Sequence, residues 1–332
     1  MGLFVFSRSI FLGRMEKILV IGASGQLGSE LTIELSNIYG EANIIAADLH
    51  KPRRDEVHPI FEQLNVIDKK HLTEIISKYR ITQVYHLAAI LSATGEKQPG
   101  LAWQVNIEGL MNVLDVSRDQ KVKKVYWPSS IAVFGPNTPK VDTPQHTIMD
   151  PNTVYGISKL TGERLAEYYY YHYGLDVRSL RYPGLIGYKA LPGGGTTDYA
   201  VDIFYKAIRS EKYSCFLNKD TTLPMMYMPD AVRATLELME SESERITVRS
   251  SYNVGAISFS PADLFDAIKG FYPDFRIEYK PDFRQEIALS WPKSMNDDQA
   301  RSDWGWNPEF DLHKMTEDMI QHLKDSELVI LQ

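Results

Sequence analysis

A short run of glycines between a strand-like and a helix-like segment constrains the fold of this chain more than any other feature. The mostly aliphatic segment Lys17–Ile21 leads directly into Gly22-Ala23-Ser24-Gly25-Gln26-Leu27-Gly28, which precedes an amphipathic stretch. Glycines at this spacing let the backbone turn tightly and approach a bound group closely. The run therefore predicts a strand, a phosphate-binding turn and a helix in succession.

An acidic residue at the end of the next predicted strand completes the pattern of a dinucleotide site. Asp48 lies twenty residues after Gly28, where a carboxylate can accept hydrogen bonds from ribose hydroxyls and repel a 2′-phosphate. We therefore expect NAD as the cofactor. NADP is the alternative, because Lys51, Arg53 and Arg54 follow closely, although we interpret these cations as part of a solvated loop.

The first half of the chain alternates short β-branched runs with amphipathic stretches, which is the pattern of consecutive βαβ units. The predicted strands are Lys17–Ile21, Asn43–Ala47, Glu62–Val66, Thr82–Leu87, Lys123–Trp127 and Asp176–Arg181. The predicted helices are Gln26–Ile38, Lys69–Lys78, Leu101–Arg118 and Asn152–Tyr171. Because helical crossovers between short apolar strands build a parallel sheet covered on both faces, we expect an α/β, doubly wound parallel-sheet Rossmann fold.

The pattern changes after about residue 182. Prolines and glycines interrupt the chain repeatedly between residues 183 and 195, which favours loops. Helical spacing returns at Asp230–Met239, Pro261–Lys269 and Asp311–Lys324. We expect an NAD-binding domain over residues 16–182 and mainly a smaller α/β substrate-binding lobe over residues 183–325, with the last strands of the sheet completed by later segments.

Charge, cysteine content and hydropathy exclude several classes of protein. Lys and Arg total 36 against 43 Asp and Glu, so the net charge of −7 offers no overall basic surface for nucleic acid. The single cysteine, Cys215, can form neither an internal disulfide nor a zinc site that needs two thiolates. No apolar run approaches the roughly 20 residues that span a bilayer. We therefore expect no nucleic acid, no membrane span and no metal.

Residues 1–15 have the composition of an organellar leader. They contain Arg8, Arg14, several large apolar side chains and no acidic residue, as amphipathic presequences do. We expect a mitochondrial presequence here and a mitochondrial matrix location. The alternative is that Met15 begins the functional chain, in which case the protein would be cytoplasmic.

A phenol and an ammonium are placed to act together in the second half of the predicted domain. Tyr155 and Lys159 are four residues apart and therefore share one face of a helix, while Ser130 follows the fifth predicted strand. A free tyrosine, with a pKa of about 10, is a poor base at neutral pH. An ammonium about 4 Å away favours the phenolate by up to about 4 kcal/mol. Tyr155 could then accept a hydroxyl proton while Ser130 holds the substrate oxygen.

With these residues in place, the chain resembles the extended short-chain dehydrogenase/reductase superfamily from Glu16 to Lys324. The shared motifs include His86-Leu87-Ala88-Ala89, Pro128-Ser129-Ser130, Val133-Phe134-Gly135 and Trp304-Gly305-Trp306-Asn307-Pro308. The resemblance implies cofactor contacts from Gly22, Gly25, Gln26, Leu27, Gly28, Asp48, Asn65, Val66, Leu87, Ala88, Ala89, Tyr155, Lys159 and Tyr182. It also implies that the nicotinamide lies over the catalytic residues Ser130, Tyr155 and Lys159, and that Asn106 supports a proton relay.

Within that superfamily, several stretches look like the epimerase-like L-threonine 3-dehydrogenases. The most specific are Gly193-Gly194-Gly195-Thr196-Thr197-Asp198-Tyr199-Ala200 and Leu223-Pro224-Met225-Met226-Tyr227-Met228-Pro229-Asp230-Ala231. The resemblance implies that Ser92, Thr196 and Thr197 hold the amino acid beside Ser130 and Tyr155, and that Trp291 closes over it. It further implies oxidation of the β-hydroxyl of L-threonine to 2-amino-3-oxobutanoate, a homodimer formed by two helices from each subunit, and a 2-amino-3-oxobutanoate:CoA ligase as a partner.

Two other functions remain open on the sequence. A nucleotide-sugar epimerase or dehydratase uses the same Ser, Tyr and Lys but keeps its NAD tightly bound. A non-catalytic NAD-sensing module could share the fold, although both Tyr155 and Lys159 are present. The Thr196–Asp198 segment could also serve only to cap the following helix.

Overall fold

The computed structural model describes residues 16–51, 60–189, 191, 193 and 195–324. The leader predicted at residues 1–15 lies outside these ranges, as do Arg53 and Arg54. The strands are β1 Ile18–Ile21, β2 Ile44–Asp48, β3 Ile60–Gln63, β4 Gln83–His86, β5 Lys124–Tyr126, β6 Ser129–Ser130, β7 Asp176–Arg178, β8 Leu180–Tyr182, β9 Gly184–Ile186, β10 Tyr213–Cys215, β11 Leu223–Tyr227, β12 Tyr252–Asn253, β13 Ile257–Phe259 and β14 Ile277–Tyr279. The α-helices are α1 Gln26–Tyr39, α2 Lys69–Tyr79, α3 Ser92–Lys97, α4 Pro99–Trp103, α5 Gly109–Asp119, α6 Val154–Tyr173, α7 Tyr199–Ile208, α8 Met228–Glu240, α9 Pro261–Lys269, α10 Arg284–Ser290, α11 Asp298–Trp304 and α12 Leu312–Lys324.

A parallel sheet in the order β3-β2-β1-β4-β5-β7 forms the centre of the molecule. Because successive side chains of a strand point to opposite faces, β1 divides its apolar residues between two layers. Ile18 and Val20 pack with α1 and α8, whereas Leu19 and Ile21 pack with α2, α5 and α6. This arrangement confirms the predicted doubly wound α/β fold.

Short strands extend the sheet and build a second lobe. β6 and β8 continue beyond β5 and β7 and pair in parallel, and β12 joins the far side of β8. The mixed sheet β13-β11-β9 and the pair β10-β14 lie in the smaller lobe. Its core includes apolar side chains of α7, α9 and α12. The strand at residues 252–253 therefore returns from the later part of the chain to pair with β8 in the three-stranded sheet β12-β8-β6.

Three elements differ from prediction by more than one or two residues at their ends. The predicted strand Asp176–Arg181 is divided into β7 and β8, which belong to different sheets. The predicted strand Glu62–Val66 is observed earlier, as β3, because Asn65 opens a turn in which its carbonyl accepts the Asp68 N–H at 2.9 Å. The predicted helix Leu101–Arg118 is interrupted by a π-helical turn at Gln104–Glu108, between α4 and α5. A π turn inserts one extra residue, which rotates the side chains that follow it.

A buried ion pair fixes α6 against the sheet. Glu163 on α6 and Arg181 on β8 form a bidentate pair, with both N–O distances 2.8 Å and at most 1% of either side chain exposed. The Ser129 hydroxyl donates to the same carboxylate at 2.7 Å, and Arg181 also donates to the Asn253 side chain at 3.0 Å. These contacts set the position of α6 relative to β6, β8 and β12.

None of the helices in the described ranges is both long enough and apolar enough to cross a membrane.

We expect Glu163→Gln to lower the free energy of unfolding by about 3–5 kcal/mol, because it leaves the Arg181 charge buried without a counter-charge. Urea unfolding followed by circular dichroism measures the change. Glu167→Gln is the matched control: Glu167 pairs with Arg164 at 2.8 Å on the exposed side of the same helix and should cost no more than about 1 kcal/mol. Equal losses in the two variants would contradict this prediction.

Candidate active site

A cavity of about 300 Å³ opens at the carboxyl ends of the central strands, where open α/β sheets bind their ligands. Most of the residues predicted for the site line it: Gly22, Gly25, Gln26, Leu27, Gly28, Leu87, Ala89, Ser92, Ser130, Tyr155, Lys159, Tyr182, Thr196, Thr197 and Trp291. Five others do not line it: Asp48, Asn65, Val66, Ala88 and Asn106. The structure therefore gathers side chains from both lobes around one space.

The glycine turn forms one wall of the cavity and has no room for side chains. Gly22 has φ +87°, and a Cβ added to it would lie 2.6 Å from the Ala88 backbone nitrogen. A Cβ on Gly28 would lie 2.1 Å from the Gly22 carbonyl oxygen. Helix α1 begins after Gly25 without a side-chain cap, so its first backbone N–H groups face a ligand site. This cradle fits the pyrophosphate of a dinucleotide.

Asp48 lies beside the glycine turn, at the end of β2. Its Oδ2 accepts the Ser24 backbone N–H at 2.9 Å, which fixes the carboxylate at the edge of the turn. Asn65 is exposed and accepts the Ile67 N–H at 3.2 Å, whereas Val66 is buried against Gly109 at the start of α5. Contact between the adenine and these last two residues stays a prediction.

Ser130, Tyr155 and Lys159 converge on one side of the cavity. Thr153 caps α6 by accepting the Gly156 N–H at 3.0 Å, which places the Tyr155 phenol at the first turn of the helix. The Ser130 side chain lies close enough to that phenol to lower its pKa, and its hydroxyl oxygen accepts the Ala132 N–H at 3.2 Å. One turn further along, the Lys159 ammonium donates to the Pro128 carbonyl at 2.6 Å. The three predicted catalytic side chains therefore lie together.

Burial dominates the protonation of this group. It raises the pKa of Tyr155 to about 12, against a smaller lowering of that pKa by the Ser130 side chain. Burial also lowers the pKa of Lys159 to about 7. The expected lowering of the pKa of Tyr155 by the Lys159 ammonium is not what this geometry gives, because removal from water penalises both the phenolate and the ammonium. Both side chains therefore favour their neutral forms more than free tyrosine and lysine do.

Sequence reasoning did not assign a role to His86, which ends β4. It is 1% exposed, and neither ring nitrogen has a hydrogen-bond partner within the described residues. Burial, and secondarily the Lys159 charge, lower the pKa of His86 to about 3. His86 is thus a neutral group beside Lys159 at physiological pH.

Asn106 lies in the π-helical turn, and its side chain does not line the cavity but forms hydrogen bonds with neighbouring parts of the chain. Its side chain accepts the Ile90 N–H at 2.8 Å and donates to the Ile90 carbonyl at 3.1 Å. It also donates to the Ser158 hydroxyl at 3.1 Å. These contacts hold the loop after β4 against α6, and participation of Asn106 in a proton relay stays a prediction.

The far end of the cavity is built from hydroxyl groups. Ser92, the first residue of α3, lies 3.1 Å from Thr196, measured between the two side-chain oxygens, and both residues are almost fully buried. Trp291, at the C-terminal end of α10, lines the same cavity, and its closure over a substrate stays a prediction. Residues 104 positions apart in sequence are therefore joined at this end of the cavity.

Asp198 is not among the predicted site residues, although capping of α7 was one reading of the Thr196–Asp198 segment, and it lines the cavity. It occupies the N-cap position in an α-helical conformation, with φ −62° and ψ −18°, and its side chain makes no cap. Instead its Oδ2 accepts the Gly195 N–H at 2.7 Å. The Pro183–Leu185 segment also lines the cavity. Its position directly after β8, at the carboxyl end of the sheet, could have identified it.

The Tyr182 hydroxyl is directed away from the cavity. It is the acceptor of a hydrogen bond from Tyr126 at 2.8 Å and donates to the Ala231 carbonyl at 3.1 Å. A cofactor contact from Tyr182 would have to come from its backbone or ring. Across the ranges that the structure describes, no three His, Cys, Asp or Glu side chains are placed to hold a metal ion.

Three comparisons with known proteins agree with this geometry. The model of the NAD dependent epimerase/dehydratase family matches residues 18–255. An uncharacterised epimerase/dehydratase of Staphylococcus saprophyticus is 45% identical over 316 residues, which are 94% of this chain and 98% of that protein.

Solved structures are also similar over nearly the whole chain. The holo form of a GalE-like L-threonine dehydrogenase from Cupriavidus necator is 52% identical, with a TM-score of 0.91 over 92% of this chain and 99% of that one. A monomeric L-threonine 3-dehydrogenase from a metagenome is 50% identical, with a TM-score of 0.90 over 93% and 99% of the two chains. The resemblance predicted from the motifs is confirmed.

We expect Asp48→Asn to improve binding of NADP relative to NAD by about tenfold, because it removes a negative charge from the ribose site while keeping an acceptor for the Ser24 N–H. Fluorescence titration with each cofactor measures the ratio. Asp68→Asn is the matched control: Asp68 also accepts a backbone N–H, from His71 at 3.0 Å, but caps α2 on the surface. An unchanged ratio in Asp48→Asn would exclude this carboxylate from the ribose site.

Proposed function

Since the chain belongs to the NAD dependent epimerase/dehydratase family and its cofactor is NAD, we propose that it oxidises the β-hydroxyl of L-threonine to 2-amino-3-oxobutanoate. One observation carries the proposal. The buried hydroxyl pair of Ser92 and Thr196 lies in the same cavity as Ser130, Tyr155 and Lys159. The similarity to L-threonine dehydrogenases supports the same substrate.

Ser130 and Tyr155 have different roles in the proposed reaction. The Ser130 hydroxyl orients the substrate oxygen, and Tyr155 accepts the proton as the O–H bond breaks. When bound against these residues, NAD would supply the acceptor for the hydride of the same carbon, and its oxidised ring would add a positive charge to the site. That charge favours the phenolate form of Tyr155. It therefore opposes the effect of burial, which raises the pKa of Tyr155 to about 12. The C–O bond becomes a carbonyl, with the proton on Tyr155 and the electron pair on the cofactor.

The polar groups at the far end match the two charges of an amino acid. The hydroxyls of Ser92, Thr196 and Thr197 line the cavity and can donate to a carboxylate. The Asp198 carboxylate faces the same space and attracts an ammonium. Trp291 adds an apolar wall that excludes water from the reacting carbon.

The charges of the lining also separate this function from the alternatives. Among the described residues that line the cavity, Lys159 is the basic side chain and Asp198 the acidic one. A nucleotide-sugar substrate would bring a diphosphate into this cavity, where Lys159 is the cation that the described lining residues offer to neutralise it. A module that only senses NAD would not need Ser130 and Tyr155 within hydrogen-bond reach of each other. Both features favour amino-acid oxidation.

Two helices carry the surface for the dimer that we propose. α4 and α6 pack side by side and expose large apolar residues to solvent: Leu101, Trp103, Ile157, Tyr168 and Tyr171. A patch of this kind on one face can pair with its own copy around a two-fold axis. The competing state is a monomer, the form named for the 50% identical metagenome enzyme.

The product suggests where the protein works and with what. A 2-amino-3-oxo acid is unstable towards loss of its carboxyl group, so we propose that a 2-amino-3-oxobutanoate:CoA ligase consumes it nearby. We also propose a mitochondrial matrix location, which rests on the composition of residues 1–15. Fusing these fifteen residues to a fluorescent protein tests the location, and a diffuse cytoplasmic signal would exclude it.

The proposed reaction predicts NADH formation, read at 340 nm, when the full chain is mixed with NAD and L-threonine but not with D-threonine, L-serine or UDP-glucose. Tyr155→Phe should lower kcat by at least about 10²-fold, because it removes the proton acceptor. Tyr213→Phe is the matched control, since the Tyr213 hydroxyl is equally buried but has no hydrogen-bond partner among the described residues. NADH-free turnover of UDP-glucose would instead support the epimerase.

We expect Ile157→Asp to convert the dimer into a monomer, because it places two charges in the centre of a buried apolar interface. Light scattering after size-exclusion chromatography gives the mass. Val141→Asp serves as the control, because Val141 is 69% exposed in a loop away from α4 and α6. A wild-type mass of one chain would exclude the dimer.

A further inference from the structure

An indole ring lies against the catalytic lysine. The Lys159 ammonium is 4.6 Å from the centroid of the Trp127 ring and 5.6 Å from that of Tyr155. Trp127 is only 2% exposed, and Lys159 only 3%. A cation within about 6 Å of an aromatic face is attracted by the ring quadrupole, and most strongly where water is excluded.

The ammonium has few other groups that favour its charge. It donates to the Pro128 carbonyl at 2.6 Å, and it forms no ion pair with a carboxylate of the described residues. Burial lowers the pKa of Lys159 to about 7. A contact that stabilises the charged form therefore decides the protonation of this side chain near neutral pH.

The charged and titratable neighbours of Lys159 do not stabilise its charged form, so this stabilisation must come from the Trp127 ring. His86, at the end of β4, is neutral because burial lowers its pKa to about 3. Glu163, one turn further along α6, is paired with Arg181. Tyr155 on the same helix is neutral at pH 7, because burial raises its pKa to about 12. None of these groups offers Lys159 a free negative charge.

The shape of α6 is adapted to the indole. Gly162 lies three residues after Lys159 and therefore on the same face of the helix. A Cβ on Gly162 would lie 2.2 Å and 2.5 Å from two carbon atoms of the Trp127 ring. The absence of a side chain at this position lets an edge of the indole approach the helix, with the ammonium over the ring.

We propose that Trp127 is a positioning residue that holds Lys159 in its charged form by a cation–π contact. It touches neither the substrate nor the reacting atoms, and it acts through the lysine. The inference rests on the proposed function only in assigning Lys159 to the reaction. The charge kept on Lys159 favours the Tyr155 phenolate, so loss of the ring should raise the pH at which Tyr155 becomes a base.

The direct test is the titration of Lys159 by NMR of the full chain labelled with ¹³C at lysine Cε, the signal being assigned by its absence from Lys159→Met. Trp127→Leu should lower the titration midpoint by about one pH unit, since the aromatic contribution is lost. Trp127→Phe retains an aromatic face and should lower it less. Gly162→Ala, which displaces the ring, should also lower it and serves if Trp127→Leu does not fold. An unchanged midpoint in the folded variants would overturn the inference.

The pH profile of kcat/KM for L-threonine is the second readout. In Trp127→Leu its acidic limb should move up by about one pH unit, and Trp127→Phe should recover part of the shift. Trp306→Leu is the matched control: Trp306 is 1% exposed with the Arg233 guanidinium 4.8 Å from its ring, so it should lose stability without moving the profile. If Lys159 titrates as expected but L-threonine yields no NADH, the proposed function fails and the inference stands.

Discussion

The buried pair of Glu163 and Arg181 is the interaction on which the geometry of the active site depends. It joins the helix that carries the phenol and the ammonium to two strands of the sheet, and Ser129 shares the same carboxylate. Such a pair is costly to desolvate and contributes specificity of position more than stability. Because neither Glu163 nor Arg181 lines the cavity, the reactive residues of the same helix are held in place without being occupied by this structural contact.

The active site contains few charged groups, and the protonation of its residues depends on this. A buried phenol, a buried ammonium with lowered pKa and a neutral histidine lie together, and within the described part of the chain Lys159 forms no ion pair with a carboxylate. In such an environment each added charge has a large effect, because little water is present to screen it. The indole of Trp127 therefore matters more to Lys159 than it would at the surface.

Much of the fold and the site could be predicted because local sequence determines it. The glycine turn, Asp48 at a strand end and the Tyr155–Lys159 spacing each follow from short-range geometry, and the structure places them at one edge of the sheet. The π-helical turn, by contrast, depends on contacts of Asn106 with Ile90 and Ser158. The contact between Ser92 and Thr196 joins two lobes, so spacing alone could not reveal it; only the family resemblance pointed to the pair.

Two adjacent serines, Ser129 and Ser130, have different roles, one in the packing of α6 and the other in the active site. Ser129 directs its hydroxyl to the buried Glu163, and Ser130 directs its own to Tyr155 on the cavity side. A strand alternates its side chains with a period of two, so a slip of one residue would exchange the two hydroxyls. The length of chain from the start of β5 to Ser130 is therefore fixed by both serines at once. An insertion or deletion of a single residue in this stretch would move both hydroxyls from their partners, whatever side chains lie between.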